Sequence, residues 1–301
     1  MSVDVRLNRG PHNRERLWGP IYALPAVVLV VVFIGYPFGS IIYHSFTHWN
    51  GLQPAQWIGI KNYRDLLHDS LFRLALRNNL LFAISVPIQV VVPLLLAYLI
   101  HERIPGWRLF RATYFLPAVY STVVIGLLAQ VTFAAHGAVN VAFGRVGLTA
   151  LERDWLGSGP TAIGVILLLL IWANFGYNVV LYLAGMSTID PQLPEAARVD
   201  GAGRFATLRH VYIPSLRRVI ELVLVTNTIT AFAYMLTYIF VVTNGGPGFD
   251  TYDTEFLIYN EAFSYQALGY ASAIGVVLTL IILVFGFFQI RMLTGGRTGS
   301  A

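Results

Sequence analysis

The chain has 301 residues, of which 56% are apolar and 12% charged, with a formal net charge of +5 and a mean hydropathy of +0.64. Soluble domains carry roughly 25% charged residues, so a water-soluble core does not fit. Nineteen of the twenty basic residues are Arg, gathered at the ends of apolar runs. That is the pattern of a membrane protein and not of a nucleic-acid binder. There is no Cys, which removes disulfides, thiolate metal sites and cysteine nucleophiles.

A helix crossing the ~30 Å hydrocarbon layer needs about 20 mostly apolar residues. Six windows qualify: 20–43, 78–100, 108–133, 161–186, 219–243 and 268–290. The expectation is an all-α, polytopic domain over 18–291 between polar tails, 1–17 and 292–301. The first window is too long for a signal-peptide core, and no A-x-A-like site follows it. Pro37, Pro87, Pro93 and Pro117 kink their spans without ending them, because neighbouring groups in a bilayer protein re-satisfy the freed carbonyls.

Arginine placement sets the orientation. With the N-terminus inside, fourteen basic residues face the cytoplasm: Arg6, Arg9, Arg14, Arg16, Arg103, Arg108, Arg111, Arg198, Arg204, Arg209, Arg217, Arg218, Arg291 and Arg297. Six face outward: Lys61, Arg64, Arg73, Arg77, Arg145 and Arg153. The positive-inside rule therefore predicts both termini inside, with external loops at 44–77, 134–160 and 244–267.

In the first external loop, WIGIKNYRDLLHDSLFRLAL reads as amphipathic, with Tyr63, Leu66, Leu67, Phe72 and Leu74 apolar, lying along the outer surface. In the third, TNGGPGFDTYDTEF is Gly-rich but has no basic residue, so it is not a phosphate loop. Its acids Asp250, Asp253 and Glu255, with Glu261 beyond, read as parts of an ordinary solvated loop.

The spans are nearly free of charge. Glu221 is the only acid within a window, and its neighbours Arg217 and Arg218 mark it as an interfacial, paired residue. A neutral polar solute is then the natural cargo. Asn174, Tyr177 and Asn178 fall at i, i+3 and i+4; Asn227, Thr230 and Tyr234 fall at i, i+3 and i+7. Two readings stay open for these stripes: they line a shared solute cavity, or they bond neighbouring helices together.

No nucleophile stands with a base at depth, the seven His residues fall in or beside loops, and no H-E-x-x-H motif suggests a metal. The expectation is no catalytic site, no metal and no cofactor. The G-x-x-x-x-G-K-[ST] phosphate loop is missing and the single lysine, Lys61, falls outside. Energy for transport then comes from elsewhere.

Residues 187–218 form the longest internal loop. Asp190 caps a short helix, Pro191 or Pro194 sits in its first turn, Glu195 lies near its positive end, and Gly201 or Gly203 ends it. A second helix, about 204–212, stops before Pro214. Helices this short are marginal in water and need a surface: either anionic lipid greeted by the arginines or a groove on another protein, which the small Ala196 and Ala197 suit.

Glu195-Ala196-Ala197, Asp200-Gly201-Ala202 and Ile213-Pro214 resemble the EAA loop of the integral membrane subunits of binding-protein-dependent ABC importers. SFTHWNGL, WIGIKNYRDLL, LFRATYFLP and TNGGPG, in that order along the chain, are similar to the sugar-importer branch, the maltose, multiple-sugar and glycerol-phosphate type. The resemblance implies a type I importer permease fold in a bacterial cytoplasmic membrane. It also implies a coupling helix carrying Glu195, Ala196, Ala197, Asp200, Gly201, Gly203 and Pro214 that docks into a dimer of cytoplasmic ATP-binding subunits. A second permease, an extracytoplasmic solute-binding protein and a sugar complete the implied partners, and the resemblance favours Tyr177 and residues 227–231 for the translocation path. Arg218 departs from it, standing where relatives often have a second proline. An ion-coupled secondary transporter of a neutral solute is the alternative, and a membrane scaffold without transport a third.

Overall fold

Within an apolar run the backbone satisfies itself by forming helix, and a computed structural model, which describes residues 22–102 and 120–294, is predominantly helical. Helix α1 (Tyr22–His44) is interrupted by a π turn at Val31–Gly35. The strands β1 (Thr47–His48) and β2 (Gln56–Trp57) pair antiparallel, and α2 (Lys61–His68) follows. Next come α3 (Ser70–Ala83) and α4 (Val86–His101), then α5 (Thr122–Phe133), α6 (Ala138–Arg145) and the long α7 (Gly159–Met186). The internal loop contributes α8 (Gln192–Val199), α9 (Arg204–Thr207) and α10 (Ile213–Ser215), the last two joined by a π turn, Leu208–Tyr212. The chain closes with α11 (Arg217–Ala233), α12 (Leu236–Val242), α13 (Thr254–Tyr259) and α14 (Leu268–Thr294).

Five helices are long and apolar enough to cross a membrane, and six if α11 and α12, bent by 48° at their junction, make one span. This fits the six expected windows. The second span begins earlier than expected, at Ser70, because Asp69 accepts from the Leu71 N–H and starts the helix there. The first half of the third window, with LFRATYFLP, lies outside the described residues, as do the tail 1–17, residues 295–301 of the other tail, and Arg103, Arg108 and Arg111; α14 carries helix three residues into that second tail.

Amphipathic α2 turns Leu66 inward and leaves Leu67 exposed. It packs against α14, where Tyr270 Oη donates to Asp69 Oδ2 just beyond α2. In the interior α4 lies along α7, α12 packs on α5, and α11 touches α3, α4, α7 and α14. A Cβ on Gly126 of α5 would stand 2.8 Å from Val241 Cγ1 of α12, so only glycine lets these two approach as they do.

The expected end of the second internal helix before Pro214 is corrected: helix continues through Pro214 to Ser215. The wider π turn just before it accommodates the missing N–H and the bulk of the ring. The reading of residues 244–267 as a solvated loop is corrected more deeply. Thr251, Asp253 and Thr254 have no exposed surface and Tyr252 is buried, so this is no ordinary solvated loop.

What draws it inward is the junction between α11 and α12. The bend there leaves helix-end carbonyls and N–H groups without partners, which a buried or lipid-facing backbone cannot tolerate. Asn79 of α3 reaches the carbonyls: its Nδ2 donates to Ala231 O and Phe232 O at 3.2 and 3.4 Å. The same side chain's Oδ1 accepts from the Thr254 N–H and hydroxyl at 2.9 and 2.8 Å. Glu255 serves the other side, with Oε2 accepting from the Met235 and Leu236 N–H groups at 2.6 and 2.9 Å. Adjacent Asn78 fastens the loop, donating to Asp250 O and Tyr252 O at 2.7 Å each.

Replacing Asn79 by Ala strands two carbonyls and the Thr254 donors, at about 1–3 kcal/mol per unsatisfied group. The purified protein should show a clearly lower thermal unfolding midpoint, while the exposed change Gln53→Ala leaves it in place; equal midpoints would show that the junction does not depend on Asn79.

Candidate functional site

The internal segment is built as a rigid ledge. Asp190 Oδ1 accepts from the Gln192 N–H at 3.0 Å, with Pro191 as the preceding cap residue and Glu195 in the first turn of α8. The turn out of α8 closes with the Ala202 N–H donating to Ala197 O at 2.9 Å, and Gly201 there has φ +86°, a conformation costly for any residue with a Cβ. Gly203 is the cap residue that opens α9.

The inward side of the ledge is fastened to the end of α4. Arg198 Nη2 donates to Glu102 Oε1 and Oε2 at 2.6 and 2.8 Å. Tyr98 Oη donates to Arg204 O at 2.9 Å, and the Tyr98 and Tyr212 rings meet edge to face with centroids 5.2 Å apart. Leu208, Tyr212 and Leu216 are buried beneath it. Burial, then the Glu102 charge, raises the Tyr212 phenol above its ordinary value, with Arg198 opposing, so the ring is neutral. Behind α8 a cleft of about 340 Å³ separates it from the ends of α4 and α7, lined by His101, Glu102, Met186 and Glu195 among others.

The outward side is open. Glu195, Ala196, Asp200, Gly201, Gly203 and Pro214 are exposed, and Ala197 is half-buried. Two apolar side chains stand beside them: Val199 at 88% and Phe205 at 72% exposure. The apolar positions of 204–212 thus divide, Leu208 and Tyr212 facing in and Phe205 out. Apolar side chains exposed on a locked segment are what a partner's groove takes up. At the start of α11, Arg217 Nε pairs with Glu221 Oε1 at 3.2 Å, as the sequence led one to expect.

The polar stripes separate in the structure. Asn178 and Asn227 bond each other reciprocally at 3.3 Å; Asn178 Nδ2 also donates to Gln89 O at 3.1 Å and Asn227 Nδ2 to Val223 O at 2.7 Å. Both are buried and tie α4, α7 and α11 together. Asn174, Thr230 and Tyr234 line a cavity of about 460 Å³ at the α11/α12 junction, with Thr122, Thr237, Tyr238 and Glu255. Tyr177, 56% exposed, is outside its wall. The volume is within the range of small-molecule sites, and hydroxyls, one amide and two phenol rings are groups that hold a polyol.

Sequence reasoning missed Glu102, Tyr98, Asn78, Asn79, Asp253 and Glu255. Asp253 Oδ1 caps α13 through the Phe256 N–H at 2.8 Å. Burial pushes its carboxyl up to about 7, the Phe256 N–H holding it back and the Glu255 charge adding to the rise. Glu255 is also raised by burial, against the stabilising Leu236 and Met235 N–H groups. The forward signal was Asn78-Asn79 at the head of the apolar window 78–100, since an amide at a buried helical position must find partners. Among the described residues, no three His, Asp or Glu gather as metal ligands.

Comparison with known proteins bears on both regions. Residues 57–293 match the family described as binding-protein-dependent transport system inner membrane component. The probable ABC transporter permease protein YurN of Bacillus subtilis is 32% identical over 95% of this chain and 99% of its own length. The diacetylchitobiose uptake system permease protein NgcF of Streptomyces coelicolor is 31% identical over 91% of this chain and 82% of its own. By structure, a chain of the bacterial alginate ABC transporter, crystallised in complex with an alginate pentasaccharide-bound periplasmic protein, superposes with a TM-score of 0.81 at 23% identity, covering 95% and 98% of the two chains. That last likeness establishes the shared fold.

Gly201→Val isolates backbone conformation, because a Cβ there meets nothing within 4 Å while φ is +86°. At about 1–2 kcal/mol for a left-handed residue, it should distort the turn after α8 and reduce recovery of the ATP-binding subunit in a pull-down, with membrane insertion unchanged; full recovery would dissociate the turn from docking. Glu102→Gln removes the charge facing Arg198, whose side chain is 51% exposed. Since exposed pairs contribute about 1 kcal/mol or less, it should weaken the same recovery by no more than about fivefold.

Proposed function

The chain belongs to the binding-protein-dependent transport system inner membrane component family, and on that premise we propose that it is the permease subunit of an ABC transporter that imports a sugar or sugar derivative. It forms the translocation path with a second permease, receives its cargo from an extracytoplasmic binding protein, and takes its energy from two ATP-binding subunits in the cytoplasm. Both termini face the cytoplasm, as the arginine distribution favours.

The observation that carries this reading is the ledge of α8 and α9. It is locked inward by Arg198–Glu102 and Tyr98–Arg204 and presents Ala196, Val199 and Phe205 outward. Glu195, Ala196, Ala197, Asp200, Gly201 and Gly203 form the docking surface, with Pro214 within the helical run that leads to α11. Closure of the ATP-binding subunits on ATP moves the ledge, and the ledge moves α4 and α11 with it as a rigid body. The cargo is handled in the cavity at the α11/α12 junction by Asn174, Thr230 and Tyr234. Asn178 and Asn227 act one layer away by holding the three helices in register, and Tyr177 contributes from the exposed face of α7, where the second permease completes the path. A saccharide suits these groups, and the Streptomyces relative is named for uptake of one.

Reconstituted with its partners in proteoliposomes, the transporter should take up sugar only with ATP and be indifferent to ionophores. Uptake driven by an imposed ion gradient without ATP would replace this reading with the secondary-transporter one. Asn174→Ala and Tyr234→Ala should each lower uptake about tenfold, the loss of roughly one good hydrogen bond or ring contact, while the assembled complex is recovered intact; normal uptake in both would remove the cavity from the path.

A further inference from the structure

The two oxygens of Glu255 have different surroundings. Oε2 takes both N–H groups at the start of α12. Glu255 also lines the 460 Å³ cavity, and its Oε1 has no hydrogen bond to any described residue, nor is it among the buried unpartnered atoms. The free oxygen is therefore available to the cavity. Around it the wall offers the hydroxyls of Thr122, Thr230 and Thr237, the Asn174 amide and the phenols of Tyr234 and Tyr238. Every one of those groups is neutral, and no Arg, Lys or His is in the wall to offset the carboxylate.

We infer that Glu255 is a specificity-determining residue of the cavity: its Oε1 accepts hydrogen bonds from hydroxyls of a neutral saccharide, and its charge disfavours saccharides bearing a carboxylate. The inference rests on the cavity being part of the sugar path. A carboxylate accepts strongly from a polyol's O–H groups, whereas a uronate brought against it meets like charge in a partly desolvated site. The helix start gains from the same side chain, so the residue that fixes the geometry of the bend also selects what enters it.

The test uses the assembled permease and ATP-binding subunits without binding protein, so that prior selection by that protein does not enter. Equilibrium dialysis measures binding of the neutral sugars maltotriose, cellotriose and diacetylchitobiose and of the uronate counterpart of each. Wild type should bind at least one neutral sugar about tenfold or more tighter than its uronate form, and Glu255→Gln should narrow that ratio about tenfold. The Gln carbonyl can still accept both N–H groups of α12, so the junction is retained. Thr230→Asp adds a second carboxylate to the same wall and should widen the ratio. A ratio unmoved by either variant overturns the role of Glu255 while Asn174→Ala and Tyr234→Ala still weaken binding. Failure of the wild type to bind any neutral sugar, or binding indifferent to Asn174 and Tyr234 as well, overturns the cavity reading and this inference with it.

Discussion

A helix that bends inside an apolar environment must find partners for the backbone groups it frees, and the packing of α3 and of residues 250–255 is arranged around that requirement at Ala233–Leu236. A peptide group left without a partner in an apolar interior costs several kcal/mol. Asn79 supplies a donor to the carbonyl side and Glu255 an acceptor to the N–H side, and Thr254 joins the two by donating to Asn79. For these side chains to arrive, α3 must run past the bend and the loop after α12 must fold back upon it. The burial of Thr251 to Thr254 is a consequence of that demand. The cavity follows in turn, since a straight helix would not leave a recess between Thr230 and Thr237.

A helical run connects this region to the ledge of α8 and α9. Ser70–His101 is a single span-forming stretch of 32 residues, about 48 Å if straight. Asn79 lies in its first third, and Glu102 and Tyr98 at its last turn hold Arg198 and Arg204 of the ledge. Midway, Gln89 O receives Asn178, which is itself paired with Asn227. The ledge and the cavity are thus joined through packed helices with hydrogen bonds at both ends and the middle, the kind of connection that the proposed rigid-body coupling requires.

The reading of the spans and of the turn after α8 required little beyond the chain itself. Apolar length predicted the helices, because the bilayer leaves no other backbone arrangement. The left-handed Gly201, the cap at Asp190 and the Arg217–Glu221 pair were also legible, since each is a local interaction over four residues or fewer. Boundaries were less so: Asp69 starts the second span eight residues before the hydropathy signal begins. The π turn that carries helix through Pro214 has no sequence signature at all.

The bend in the fifth span was invisible for a definite reason. Ala233-Tyr234-Met235 contains neither proline nor glycine, and hydropathy continues across it; the groups that satisfy the bend lie 152 residues away in Asn79 and 20 residues on in Glu255. Likewise an acid in a Gly-rich loop reads as solvated until the loop is seen to fold inward. Composition and periodicity determined that this is a bundle of membrane helices with a capped, glycine-ended segment between the fourth and fifth. Tertiary structure alone decided which polar side chains bond one another, as Asn178 and Asn227 do, and which, like Asn174, Thr230, Tyr234 and Glu255, are left facing a space. Sequence spacing assigns a residue to a face of its own helix, whereas the partner across that face is chosen by packing.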